Sequence, residues 1–173
     1  MIDFVNTLDL ETGVDELTST DGLANWLGGR GLLDPAAKPS ERERRHAVEL
    51  REALRALMLA HNGAPGAEDA GAELDRAATA GALRVHFGED GIAHLDADAA
   101  GVERAQARLL IPVVAASADG SWERVKACRA DDCLWAFYDR SRNRSGVWCD
   151  MAVCGNRTKV RAFRQRTPKR ARR

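Results

Sequence analysis

Apolar residues recur at helical intervals through the first two-thirds of the chain and then give way to a basic, cysteine-bearing third. In the opening stretch, 1–10, Ile2, Phe4 and Val5 have strand character and no cap signal precedes them. Ser19, Thr20 or Asp21 then offers an N-cap, Leu23, Trp26 and Leu27 form a stripe, and Gly28-Gly29 supplies a stop, which predicts a short amphipathic helix. Pro35 and Pro39 bracket a loop, behind which Ser40 and Glu43 have the spacing of a capping box. Ala47, Leu50, Leu54, Leu57 and Met58 share one face of the long helix that follows, up to Asn62-Gly63, and its Glu/Arg-rich outer face reads as solvated surface. An alanine-rich helix is expected over 68–80. Leu83, Val85 and Phe87 alternate with Arg84 and His86, Glu89-Asp90-Gly91 makes a turn, and Ile92 and Leu95 begin the return of a β-hairpin. A last helix over 99–118 contains Pro112, which is expected to kink or divide it, and Asp119-Gly120 is a turn.

Composition adds a size limit and a location. At 173 residues, 45% hydrophobic and 30% charged, the chain can build one good core, or one core plus a small module that needs a metal. No apolar run approaches a membrane span and the N-terminus lacks the basic and apolar regions of a secretory signal, so a cytoplasmic protein without a membrane partner is expected. The formal net charge of zero conceals a division. Residues 1–120 hold 11 Lys/Arg against 21 Asp/Glu, a balance of −10, whereas 121–173 hold 15 against 5, a balance of +10. The chain therefore divides into an acidic domain, 1–120, and a basic one, 121–173, with a basic C-terminal tail. A basic half of this kind suits a polyanion, nucleic acid above all, unless the two halves simply attract one another.

All four cysteines lie in the basic third, with spacers of four, fifteen and four residues between Cys128, Cys133, Cys149 and Cys154. Two close pairs let two turns each supply two thiolates to one tetrahedral ion, the arrangement of a structural Zn²⁺ site. Between the pairs, the strand-like run Leu134 to Tyr138 and the turn-prone Ser141 to Gly146 return the chain, and Trp135, Phe137 and Trp148 are expected to form a miniature core. One of these aromatics is alternatively a base-stacking platform. The metal must supply much of the folding free energy of so small a module.

Two basic clusters flank the second cysteine pair. Arg157, Arg161 and Arg164 stand at i, i+4 and i+7 on one helix face together with Lys159 nearby, and Arg140, Arg142 and Arg144 occupy the loop before Cys149. Guanidinium forks suit phosphate and guanine, so these seven residues are the candidate nucleic-acid contacts. No catalytic arrangement competes. His46, His61, His86 and His94 all lie in the acidic part, four thiolates leave no open metal position for water, and there is no phosphate-cradling glycine loop and no nucleophile elbow. His86 and His94 read as hairpin surface. A non-enzymatic protein is expected, with catalytic residues none.

The run Cys149 to Arg157, preceded by Phe137 to Asn143 and by Trp148, resembles the CGNR zinc finger, named for Cys154-Gly155-Asn156-Arg157. Asp3-Phe4-Val5-Asn6-Thr7 and the following Leu-Trp-Leu helix resemble the ABATE domain that accompanies this finger. The resemblance implies a bacterial DNA-binding transcription regulator with Cys128, Cys133, Cys149 and Cys154 as zinc ligands. Family members carry a basic residue before the tryptophan, where this chain has Val147, which removes one expected phosphate contact. They also have several more residues before the Asp-Phe-Val-Asn-Thr stretch, so a first strand is expected to be missing or the start codon to lie later. The expected fold is α+β: a mainly helical N-terminal domain, 1–120, with a β-hairpin, followed over 121–173 by a small zinc finger made of a β-hairpin plus a C-terminal helix. DNA is the expected partner, RNA is open, and the N-terminal domain is left with dimerisation as a homodimer or the sensing of a small-molecule effector. The competing readings are a zinc-stabilised protein-interaction module docking on an acidic partner, its own N-terminal domain included, and an enzyme with a pocket in the N-terminal domain.

Overall fold

Phe4 and Val5 are fully buried, and this decides how the chain begins. Ile2–Val5 forms a turn of helix, α1, where alternation in the sequence suggests a strand. Two apolar neighbours can both enter a core from a helix, whereas on a strand they would point to opposite faces. The Phe4 ring packs against Trp26 with centroids 5.3 Å apart. The computed structural model describes residues 1–166, and the end of the basic C-terminal tail lies outside them. A short antiparallel hairpin follows α1, β1 (Leu8–Asp9) with β2 (Val14–Asp15), a pairing too brief for alternation to reveal.

The helices α2 (Thr20–Gly28), α3 (Glu41–Ala60), α4 (Ala70–Ala80) and α5 (Gly101–Ala118) fall where apolar periodicity places them. Ser19 caps α2 by accepting from the Gly22 amide at 3.0 Å. Ser40 and Glu43 close the capping box of α3 from both sides, with bonds of 3.3 and 2.7 Å. Pro112 neither divides nor ends α5. It sits on the exposed side, so the carbonyl it leaves unpaired one turn earlier is on the solvent side. β3 (Leu83–Phe87) and β4 (Ala93–Ala97) pair antiparallel with Val85 opposite Leu95, as the alternation predicts. Val85, Phe87 and Ile92 are exposed near the hairpin's free end.

Beyond α5, a single turn over 122–124 leads into β5 (Val125–Ala127), which pairs antiparallel with β6 (Ala136–Tyr138). All three residues of β5 are buried, and Val125, Ala127 and Ala136 belong to the same core as Phe4, Leu50, Leu54 and Leu110. The last helix, α6, spans Asn156–Arg166. The fold is α+β, with a helical N-terminal body and a C-terminal hairpin-plus-helix module as expected. Among the described residues no helix is long and apolar enough to cross a membrane.

The Glu/Arg-rich outer face of α3, with Arg42, Arg45 and Glu49, is exposed. Arg51 and Arg55 stand instead beside the apolar stripe of Ala47, Leu54 and Met58 and are only 2% and 3% exposed. Arg51 forms a bidentate pair with Asp15 of β2, at 2.6 and 3.1 Å. Arg55 reaches the carbonyls of Val5 (2.7 Å) and Leu134 (2.9 Å). This side of α3 receives α1 and the C-terminal module rather than water.

Candidate metal centre and nucleic-acid interface

Each cysteine is delivered by a different local device. Cys128 leaves β5 with its amide bonded to the Trp135 carbonyl at 2.9 Å. Cys133 closes a tight turn onto the Ala130 carbonyl, also at 2.9 Å. Cys149 ends the long loop. Cys154 sits in a wide helical turn, Met151–Gly155, started by Asp150, whose carboxylate accepts from the amides of Ala152 (2.7 Å) and Val153 (3.1 Å). A side chain on Gly155 would meet Met151 and Trp148, its Cβ lying 3.0 Å from Trp148 Cδ1, so only glycine lets this turn close against the tryptophan.

The four Sγ atoms lie within 4.8 Å of one another, with Cys133 and Cys149 at 3.6 Å and Cys149 and Cys154 at 3.7 Å. Zn–S bonds of ~2.3 Å in a tetrahedron put sulfurs about 3.8 Å apart, whereas a disulfide needs ~2.05 Å. All four are free thiols arranged as the shell of one structural zinc ion, with no position left for water. Burial pushes the Cys133 thiol up to about 11, only partly offset by the Trp135 amide, and burial also raises Cys149. A divalent cation must displace those protons, so affinity for zinc rises with pH.

The aromatic core of the module is smaller than the sequence suggests. Phe137 and Trp148 pack on the cysteine cluster, but Trp135 is exposed. Leu134 interrupts the expected strand run with a left-handed backbone (φ 51°), and Arg144 has the same conformation (φ 53°). Such conformations cost of order 1–3 kcal/mol each unless their surroundings fix them. Both carbonyls are held by a buried cation, Leu134 by Arg55 and Arg144 by the Lys126 ammonium at 2.6 Å.

Lys126 organises the whole loop that carries the first basic cluster. Its Nζ lies 2.8 Å from Asp139 Oδ2, with both side chains nearly buried. Asp139 in turn accepts from the amides of Ser141 (2.9 Å) and Gly146 (2.8 Å). Burial alone would raise the Asp139 pKa, but these bonds outweigh it and hold the carboxyl well below the ordinary carboxylate range. A Cβ on Gly146 would stand 2.7 Å from Asp139 Oδ1, so glycine is required for the amide to reach.

The module is joined to the body by polar side chains that pair with its backbone. Asn6 imitates a neighbouring strand, donating to the Ala136 carbonyl (3.0 Å) and accepting from its amide (2.7 Å). At the other end of the joint, Asn62 donates to the carbonyls of Ala127 and Val147, both at 2.8 Å. His61 Nδ1 lies 2.8 Å from the Val125 carbonyl, and its ring meets Trp122 edge-on at 5.0 Å. Replacing Asn6 with Ala orphans two buried groups of Ala136, an expected loss of roughly 1–3 kcal/mol for each. Urea unfolding of the zinc-loaded variant checks this, and a loss within error of zero would mean that water repairs the joint.

The seven candidate nucleic-acid contacts separate into two groups. Arg157 bonds Glu11 in the β1–β2 turn (2.8 Å), lies 3.5 Å from Asp132, and donates to Cys154 Sγ at 3.5 Å. Arg161 pairs with Asp132 at 2.6 Å and thereby holds that carboxyl below its usual range. Arg144 lies 3.4 Å from Glu123. Arg140, Arg142, Lys159 and Arg164 are exposed and have no ion-pair partner among the described residues.

Comparison with known families agrees with this geometry. The family model of ABATE, described as "Putative stress-induced transcription regulator", matches residues 1–123. The chain belongs to the ABATE family. The model of the CGNR zinc finger matches residues 124–167, directly behind the ABATE part. No curated protein matches the chain. Within the CGNR run, Cys154 is a zinc ligand, Gly155 admits Trp148, Asn156 donates to the Ala152 carbonyl at 3.0 Å, and Arg157 ties a ligand sulfur to the ABATE part. Lys126, Asp139, Arg55 and Asn62 support the finger and give no sign of it in the sequence, because their partners are backbone groups or lie far along the chain.

Proposed function

We propose that this ABATE protein is a zinc-stabilised DNA-binding regulator whose CGNR finger carries the contact. One observation supports the reading above the others. Arg140, Arg142, Lys159 and Arg164 leave their charges in solvent on the two segments that run out from the zinc site, in a chain whose other part is strongly acidic. The loop bearing Arg140 and Arg142 is held in one conformation by Lys126 and Asp139, so those charges are presented with little ordering cost on binding. In this reading the N-terminal part pairs two copies or senses a signal. RNA is the competing polyanion.

The test is anisotropy of the full-length, zinc-loaded protein on a labelled DNA duplex across a range of salt, with an RNA duplex as comparison. Arg140→Ala, Arg142→Ala and Arg164→Ala should each lower the log–log salt slope by about one unit while leaving zinc content unchanged. Arg161→Ala should change it less, since Asp132 already neutralises that charge. An unchanged slope in the first three variants would remove the reading.

A second reading has its own support. Glu11 draws Arg157 of the basic module onto the acidic part, which is a docking contact between the two halves of one chain. A protein partner with an acidic face would engage the same arginines, and its binding would be insensitive to added nucleic acid.

A further inference from the structure

The four cysteines are not equivalent. Cys128, Cys133 and Cys154 are buried, while Cys149 is partly exposed. A groove of about 250 Å³, lined by Cys133, Cys149, Cys154, Trp135 and Glu11 but not by Cys128, opens onto the cluster. Arg157 donates to Cys154 Sγ, whereas among the described residues the contacts of Cys149 Sγ are the sulfurs of Cys133 and Cys154. Cys149 is thus the ligand with the most solvent access. Asp9, Glu11 and Asp150 also border the groove, so it disfavours anions and admits small neutral molecules.

We propose that Cys149 is a site of reversible oxidation by hydroperoxides, through which the finger releases its zinc. The Cys149 thiolate attacks one peroxide oxygen, the O–O bond breaks, and the sulfur becomes a sulfenic acid while the departing alkoxide or hydroxide takes a proton from water. The neighbouring thiolate of Cys133 or Cys154 then attacks that sulfur. A disulfide forms, the S–O bond breaks, and the departing hydroxide is protonated by solvent. Two thiolates have lost two electrons and the peroxide has gained them. A closure from 3.6 or 3.7 Å to ~2.05 Å is within reach of side-chain rotation and small backbone movement. Two of four ligands are then gone, and the ion leaves. This inference stands on the cysteine cluster alone and is independent of nucleic-acid binding.

The test treats the full-length, zinc-loaded protein with hydrogen peroxide, follows free zinc with a chromogenic chelator, and locates the remaining thiols by alkylation and peptide mass spectrometry. The expected result is one zinc released per chain with the loss of two thiols, Cys149 always among them, and recovery on adding a thiol reductant with zinc. Cys149→His keeps a four-ligand shell and should slow release by about tenfold or more. Should that variant fail to hold zinc, the order of thiol loss in the unaltered protein decides, and Cys149 must go first. Equal loss at all four cysteines, a disulfide involving Cys128, or zinc retained at peroxide levels that consume a free thiol would overturn the proposal.

Discussion

Stripping zinc from the intact chain should collapse the order of the cysteine turns, 128–134 and 147–155, while leaving α3 and α5 folded. Among the described residues the cluster around the metal holds Cys128, Ala130, Cys133 and Cys154 as buried residues, with Phe137, Trp148 and Cys149 half-covered, too little apolar surface to fold unaided. Structural zinc in such modules contributes on the order of 10–16 kcal/mol at neutral pH, so its removal is the largest single perturbation available. The main core, with Leu50, Leu54, Val102 and Leu110 at its centre, has no metal in it and should persist. Hydrogen exchange before and after treatment with a strong chelator measures this directly. Protection should vanish across the cysteine turns 128–134 and 147–155 and survive in Glu41–Ala60. Metal analysis should give one zinc per chain before treatment. A ratio near zero in the folded, reduced protein, or unchanged protection after chelation, would refute the assignment.

Breaking the Lys126–Asp139 pair should cost about 3–5 kcal/mol, because Asp139→Asn leaves a buried ammonium without its counter-charge. The pH dependence has a definite sign. Asp139 has a depressed pKa in the fold, so its contribution is fully present above the unfolded value of ~3.9 and is lost as pH falls through the lower folded value. The stability gap between the unaltered protein and Asp139→Asn should therefore be constant from neutral pH to about 5 and narrow below about 4. Denaturant titrations of both proteins over that range check it. Acid also releases zinc, but from both proteins alike, so the difference between them isolates Asp139. A constant gap down to the lowest pH would show that the carboxylate is not what fixes the loop.

The zinc ligands were legible because ligand chemistry and covalent spacing reinforce one another: two cysteine pairs with four-residue spacers leave few alternatives to one tetrahedral ion. The helices were legible for the same reason that they form, an apolar stripe with caps at Ser19 and Ser40. What stayed hidden is mostly polar and distant. Arg55 stands four residues after Arg51, a spacing that reads equally as a wet helix face or as a row of inward-reaching guanidiniums. Only the folded chain, with Val5 and Leu134 at hand, decides between them. β5 has three residues, all buried, and so displays no alternation. The arginine stripe was read from its period alone. Its acidic partners Glu11 and Asp132 lie 146 and 25 positions from Arg157, where no local pattern could reveal them.

Asn6 and Ala136 are separated by 130 positions along the chain, yet their amide pairing closes the joint. On the ribosome Asn6 emerges long before its partner and must wait, its amide unpaired, until β6 has cleared the exit. The helical body can consolidate during that interval, but the edge that Asn6 occupies stays vacant until β6 has been made. A nascent chain stalled before Ala136 should accordingly be more open to proteases and chaperones around Asn6 than one extended well past Tyr138.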